Sequence, residues 1–253
     1  MFYQTAQAQQ AKIDWDERFV PHITAGSEKD LFFAQGWAEM QAHTNLILGL
    51  YGAARGKGAV YWGPKFESSD ILVHNLNFPA IAVSFRKTQS PQLRQIIVAF
   101  TAGMNAYAKA HPEVIDKGNE VVLPITPDDV NLQSLFLFVI RFTGGTEFNR
   151  VPNWQEMGSN ALAIAAKRSA SHNAMLVQNP HLPWGGEFTF FECELTLNGN
   201  PVYGATVAGF PGIVIGFNKY LGWTHTDNTL DNADSFEFAL KDGGYLLDGK
   251  KHE

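Results

Sequence analysis

A serine at the start of a chain carries a nucleophile and a base in one residue, and Gly158-Ser159-Asn160-Ala161 holds a serine that can be brought to that state. The stretch opens a β-like run, Ala161-Leu162-Ala163-Ile164-Ala165, and Asn179-Pro180-His181-Leu182-Pro183-Trp184 follows it. An amide is a poor electrophile, so a hydroxyl that attacks one must be deprotonated as it does so. A free α-amine, with an ordinary pKa of about 7.7–8.0, is suited to take that proton. Ser159 owns such an amine only once its bond to Gly158 is broken, because a peptide N–H has no basicity to offer. Gly158, without a Cβ, permits a strained bond at that point. The chemistry implied is amide hydrolysis by a centre made through self-cleavage. The plain alternative is that Gly-Ser is an ordinary turn.

The elements that must carry this serine differ on its two sides. Upstream, Ile13 to Ile23 reads as one opening strand ending in Val20-Pro21-His22-Ile23. Ser27 reads as an N-cap with Asp30 three residues on, ahead of a long helical pattern through Leu31, Ala34, Trp37, Ala38, Gln41, Ala42, Asn45, Leu46 and Gly49 that Gly56 and Gly58 close. Leu93, Ile96, Ile97, Phe100, Met104 and Tyr107 predict a second helix over Gln92–Ala110, ended by His111-Pro112. Thr126-Pro127-Asp128-Asp129 opens a third through Leu135, Phe138 and Val139, broken at Gly144-Gly145. Downstream, short runs alternate with Gly, Pro and Asn turns: Ala161–Ala165, Ala174–Val177, Phe188–Leu197, Val202–Val207, Ile213–Phe217 and Phe236–Leu240. The reading divides the chain into a helical region over 1–142, a linker over 143–158 and a β-rich region over 159–253.

The 253 residues, 45% of them hydrophobic, suffice for a substantial core. A net charge of −6 and the lack of any Lys/Arg-rich run argue against a nucleic-acid surface. The single cysteine, Cys193, excludes an internal disulfide, and Glu192 and Glu194 beside it disfavour a thiolate, so it reads as a small strand residue. No apolar run approaches the ~18 residues of a membrane helix. The opening residues lack a signal peptide's basic head and apolar middle, which leaves cytoplasmic residence and export with a removed leader both open. His-Glu-x-x-His does not occur among the eight scattered histidines, which disfavours a metal-dependent hydrolase.

Taken in order, Val20-Pro21-His22-Ile23, Phe100-Thr101-Ala102-Gly103-Met104-Asn105-Ala106-Tyr107, Gly158-Ser159-Asn160-Ala161, Asn179-Pro180-His181, Phe210-Pro211-Gly212 with Gly216-Phe217-Asn218, and Leu221-Gly222-Trp223-Thr224-His225-Thr226 resemble the penicillin acylase family of N-terminal-nucleophile hydrolases. Within it the chain is most similar to acylases acting on acyl-homoserine lactones and lipopeptides. The resemblance implies an α+β fold with an αββα core, incomplete here, behind a mainly helical α-subunit region. It also implies a precursor cut into an α/β heterodimer whose β-subunit begins at Ser159, residence in the periplasm or outside the cell, and a small-molecule amide substrate.

The same resemblance assigns roles. Ser159 is the nucleophile, and His181 touches its amine or hydroxyl; by itself His181 reads as a loop histidine bonded to backbone. The backbone N–H of Asp227 serves as an oxyanion donor, although a carboxylate there opposes a developing oxyanion unless it points away or is paired. His225 reads as a structural strand residue. No catalytic cofactor is implied, but a structural Ca²⁺ is, with Glu147, Asp231, Asp234 and the Ala233 carbonyl as ligands; the same carboxylates fit a solvated turn. Trp184 and Phe188 are the preferred acyl-pocket residues among many aromatics that are mostly core. Family members run several hundred residues beyond Glu253, so the expectation is a fragment or unprocessed portion, with a non-catalytic scaffold as the alternative.

Overall fold

The computed structural model describes residues 11–143, 158–226 and 236–252. Strands β1 (Ala11–Trp15) and β2 (Pro21–Ala25) form an antiparallel hairpin. This corrects the single strand expected over Ile13–Ile23. Asp16 turns the chain: its Oδ1 accepts from the N–H of Arg18 at 2.8 Å and of Val20 at 2.9 Å, and Phe19 adopts φ 60°. A short carboxylate that satisfies nearby N–H groups competes with a strand ladder.

Helix α1 (Glu28–Ala54) starts where Ser27 caps it, the Asp30 N–H donating to Ser27 Oγ at 3.2 Å. It bends at His43 (φ −138°, ψ 32°), beside a hydroxyl-to-carbonyl bond from Thr44 back to Met40. Such i−4 back-bonding bends helices. Three short helices follow, α2 (Gly58–Trp62), α3 (Glu67–Asn75) and α4 (Phe78–Thr88). The carboxylate of Asp70 on α3 caps α2, accepting from Gly58 N at 3.0 Å and Ala59 N at 2.7 Å. Ser90 caps α5 (Pro91–Ala110), one residue earlier than expected. Helix α6 (Pro127–Leu135) opens at Thr126, whose N–H and hydroxyl both donate to Asp129 Oδ2. It continues as π-helical turns over Phe136–Thr143.

Beyond these lie strands β3 (Gly158–Ile164), β4 (Met175–His181), β5 (Phe190–Leu197), β6 (Asn200–Val207), β7 (Ile215–Phe217) and β8 (Gly222–Trp223). A small sheet of β9 (Leu240–Lys241), β10 (Gly244–Leu247) and β11 (Lys250–His252) follows. The strand expected from Phe236 therefore begins only at Leu240. The chain is mixed α+β, helical first and then sheet-rich.

The main sheet runs β1-β2-β5-β6-β7-β8. Its β2–β5 pair is parallel, with His22 opposite Glu194 and Ala25 opposite Leu197. This joins the opening hairpin to strands beyond Ser159 in one ladder. Helix α1 lies on one face, packing Leu31, Ala34 and Ala38 onto Ile23, Ala25, Phe191, Cys193 and Leu195. Burial pushes the Cys193 thiol up, helped by the charges of Glu39 and Glu192, so the strand reading of this residue holds. Helix α5 lies against α1 at very close range. A Cβ built on Gly36 would fall 2.0 Å from the Phe100 carbonyl oxygen, and one on Gly103 1.9 Å from that of Phe33. Met40, Ile47, Leu48, Ile97, Phe100 and Met104 fill the seam. Arg55, just past α1, forms a bidentate pair with buried Asp129 at 2.6 and 2.7 Å, which fixes α6.

Candidate active site

Ser159 sits second in β3, where the ribbon β3–β4 places it opposite Pro180, with Gly158 opposite His181 and Asn160 opposite Asn179. The two most informative sequence blocks are thus cross-strand neighbours. Gln178 anchors the ribbon to the main sheet, its amide donating to the carbonyls of Gly216 at 2.9 Å and Trp223 at 2.8 Å. The Gly216 and Trp223 motifs therefore act as the shelf on which the serine rests.

The Ser159 hydroxyl donates to the carbonyl oxygen of Gly158, the carbonyl of the bond that would have to break. From the opposite strand the His181 N–H points at Ser159 Oγ at 3.4 Å. The His181 ring is turned elsewhere, its Nε2 lying 3.0 Å from the Asn179 amide nitrogen. Here the contact between His181 and Ser159 runs through the main chain. Thr226 donates its hydroxyl to the Ser159 carbonyl at 3.1 Å, and the Asn160 amide lies equally close at 3.1 Å. The serine is thus held from the histidine side and from the far end of the Trp223–Thr226 segment. Sequence reasoning assigns neither Asn160 nor Thr226 a partner, although both lie within quoted motifs.

The aromatic candidates part company. Trp184 is wholly exposed, at 104% of its reference surface. Phe188 is buried with Leu137 and Val207, and Leu182, Phe190, Phe210 and Phe142 pack against this group. The π-helical turns after α6 supply Phe138 and Phe142: Phe142 meets Phe188 edge-on at 5.7 Å, and Phe138 meets Phe210 at 6.3 Å. Helix α6 and the β-rich region thus build one aromatic cluster at Phe188. Glu147, Asp227, Asp231, Ala233 and Asp234 lie outside the described residues. Among the described residues no group of three or more His, Cys, Asp or Glu side chains is arranged to hold a metal ion. No described helix is long and apolar enough to cross a membrane.

A cavity of about 1010 Å³ opens elsewhere, walled by β1, the bend of α1 and the start of β5, with Trp15, Trp37, His43 and Phe191 among its lining. Neither Ser159 nor His181 lines it. Those two residues lie instead in the β3–β4 ribbon.

The sequence profile of the penicillin amidase family matches residues 10–253. The chain belongs to the penicillin amidase family. Among curated members of the family, the acyl-homoserine lactone acylase PvdQ of Pseudomonas savastanoi pv. phaseolicola is 32% identical over 291 residues, covering 96% of this chain and 37% of that protein. PvdQ of Pseudomonas syringae pv. tomato is 32% identical over 275 residues, covering 91% of this chain and 36% of that protein. The aculeacin-A acylase of Actinoplanes utahensis is 34% identical over 98 residues, covering 37% of this chain and 12% of that protein. Among solved structures, a thermostable penicillin G acylase from Alcaligenes faecalis superposes with a TM-score of 0.46 at 22% identity, covering 56% of this chain and 76% of that one. This penicillin amidase family chain spans little more than a third of the length of the PvdQ acylases it matches.

Proposed function

We propose that this chain is the nucleophile-bearing portion of an acylase that releases a hydrophobic acyl group from an amine, on an acyl-homoserine lactone, a lipopeptide or a β-lactam. The observation that carries the reading is the Ser159 hydroxyl lying against the Gly158 carbonyl at the head of a strand anchored from three sides. In the proposed maturation Ser159 Oγ attacks the Gly158 carbonyl carbon. The C–N bond breaks, the acyl group passes to Oγ, and the released nitrogen takes the hydroxyl proton. Water then hydrolyses the ester, leaving a carboxylate on Gly158 and a free α-amine on Ser159. In turnover the amine accepts the Ser159 hydroxyl proton as Oγ attacks the substrate amide. The leaving amine departs protonated, and water frees the acid from the acyl-enzyme.

The His181 N–H favours negative charge on Oγ, and the Asp227 N–H is proposed as an oxyanion donor. The aromatic cluster at Phe188 is the proposed acyl-binding wall. An αββα core, a calcium clip and export from the cytoplasm belong to the same proposal. Three carboxylates and a carbonyl, from Glu147, Asp231, Asp234 and Ala233, would supply hard oxygen donors of the kind Ca²⁺ favours, and the ion would join the two pieces without entering the chemistry.

The test is intact mass and N-terminal sequencing of the full-length gene product, with hydrolysis of acyl amides of graded chain length. The expected result is a chain beginning at Ser159 with activity, and one uncut, inactive chain for Ser159→Ala. Full activity without a new terminus at Ser159 overturns the mechanism. An uncut and inert product is the non-catalytic scaffold.

A further inference from the structure

Gln35 and Glu39 are both fully buried on α1, one turn apart, in a helix face otherwise lined by Leu31, Ala34 and Ala38. Both reach one turn of the β-rich region. Gln35 Oε1 accepts from the Gly212 N–H at 2.9 Å, and its Nε2 donates to the Gly212 carbonyl at 3.1 Å, with the Phe210 carbonyl at 3.4 Å. Glu39 Oε2 accepts from the Gly209 N–H at 2.7 Å and Oε1 from Gln35 Nε2 at 3.1 Å. Tyr51, further along α1, donates to the Gly209 carbonyl at 2.7 Å. Gly209 and Gly212 are therefore each held at both N–H and C=O, and both sit at positive φ, 93° and 95°. Packing alone does not explain such a pair, because apolar side chains of similar volume would fill the space without the cost of burying polar groups. Burial pushes the Glu39 carboxyl up, while the Gly209 and Gln35 bonds pull it back. Desolvation outweighs both bonds, so the carboxyl stays well above the usual carboxylate range while each of its oxygens accepts from a donor.

What this clamp fixes is Phe210, which with Pro211 lies between the two glycines and whose ring packs on Phe138 and beside Phe188. We propose that Gln35 and Glu39 are positioning residues that set the shape of the acyl-binding cleft by holding Phe210 in the aromatic wall. The proposal rests on the acylase reading and extends it to residues that touch neither the nucleophile nor the scissile bond.

The test compares Gln35→Leu and Glu39→Leu in the full-length product. With a dodecanoyl amide, KM is expected to rise about tenfold, the equivalent of about 1.4 kcal/mol, while kcat per titrated active site changes less than about twofold. The rise is expected to be larger for dodecanoyl than for acetyl amides. Hydrogen exchange at the Gly209 and Gly212 amides is expected to quicken. Should the leucine variants fail to fold, Glu39→Gln sets one amide nitrogen against Gln35 Nε2 with no change of shape and is expected to move the same readouts the same way. An unchanged KM, whether or not exchange quickens, overturns the proposal. If the unmodified protein hydrolyses no amide, the acylase reading fails on its own, and exchange at the two glycines still decides whether the clamp holds the turn.

Discussion

Replacing Gly103 by alanine sets two effects of opposite sign against each other. In a helix interior, alanine is favoured over glycine by about 1 kcal/mol, so propensity alone predicts a more stable protein. Packing predicts the reverse. The new Cβ would lie 1.9 Å from the Phe33 carbonyl oxygen and 3.0 Å from the Trp37 nitrogen, both backbone atoms of α1. Backbone cannot rotate away as a side-chain end can, so α5 must move off α1 by more than an ångström. That opens the seam filled by Met40, Ile47, Phe100 and Met104. Overpacking in a filled core costs about 1–3 kcal/mol and occasionally more, and an obstacle made of backbone places this site at the upper end. The net expectation is a loss of about 2 kcal/mol or more, a fall in Tm of roughly 4–8 °C for a protein of this size. Gly36→Ala meets the Phe100 carbonyl at 2.0 Å and pushes the same helices apart, so the double variant is expected to cost less than the two single losses added. Urea unfolding followed by circular dichroism reads both. A rise in the midpoint for Gly103→Ala refutes the claim that these helices meet at backbone distance.

Further outcomes follow from the same geometry. Asp129→Asn leaves the Arg55 guanidinium without its bidentate partner in a largely buried setting, with an expected loss of about 3–5 kcal/mol by urea unfolding. A loss under about 1 kcal/mol would put the pair among weak surface contacts. The Tyr203 hydroxyl donates to Glu192 at 2.6 Å, and this bond, with some burial, pushes its pKa up to about 12. The native state then holds this proton more tightly than the unfolded chain does. That contribution to stability is complete below about pH 10 and is lost as pH rises towards 12. Ultraviolet titration of tyrosine should show Glu192→Gln moving this group back toward 10, and an unmoved titration would assign the shift to something other than Glu192.

The parts of the fold legible in the sequence are those whose signals are local. Ser27 caps its helix by a bond three residues long, and the periodic apolar residues of α5 mark its length almost to the residue. The helices between Gly58 and Thr88 carry no comparable local signal, because what defines them is tertiary. Asp70 caps a helix eleven or twelve residues upstream of it, and Asn77 enters the next from a left-handed conformation. The parallel pairing of β2 with β5 leaves no mark in either strand alone. At the site, Gly158-Ser159 and Asn179-Pro180-His181 were legible as motifs, and the register that sets them side by side was not. The spacing of Gln35 and Glu39, four apart on α1, lets them bond each other, whereas their partners at Gly209 and Gly212 leave no local mark.

The ladder shared by β2 and β5 imposes an order of events on any scission before Ser159. Were the bond severed in a nascent chain, the hairpin and its later neighbour would have to find each other as separate molecules. That encounter forfeits translational and rotational freedom estimated at 4–15 kcal/mol, as much as a whole domain's stability. Completed first as a single polypeptide, the sheet meets no such penalty, and the later cut leaves two interleaved fragments that part only by unravelling it. A maturation step at this position is therefore safest once β2 and β5 have already paired.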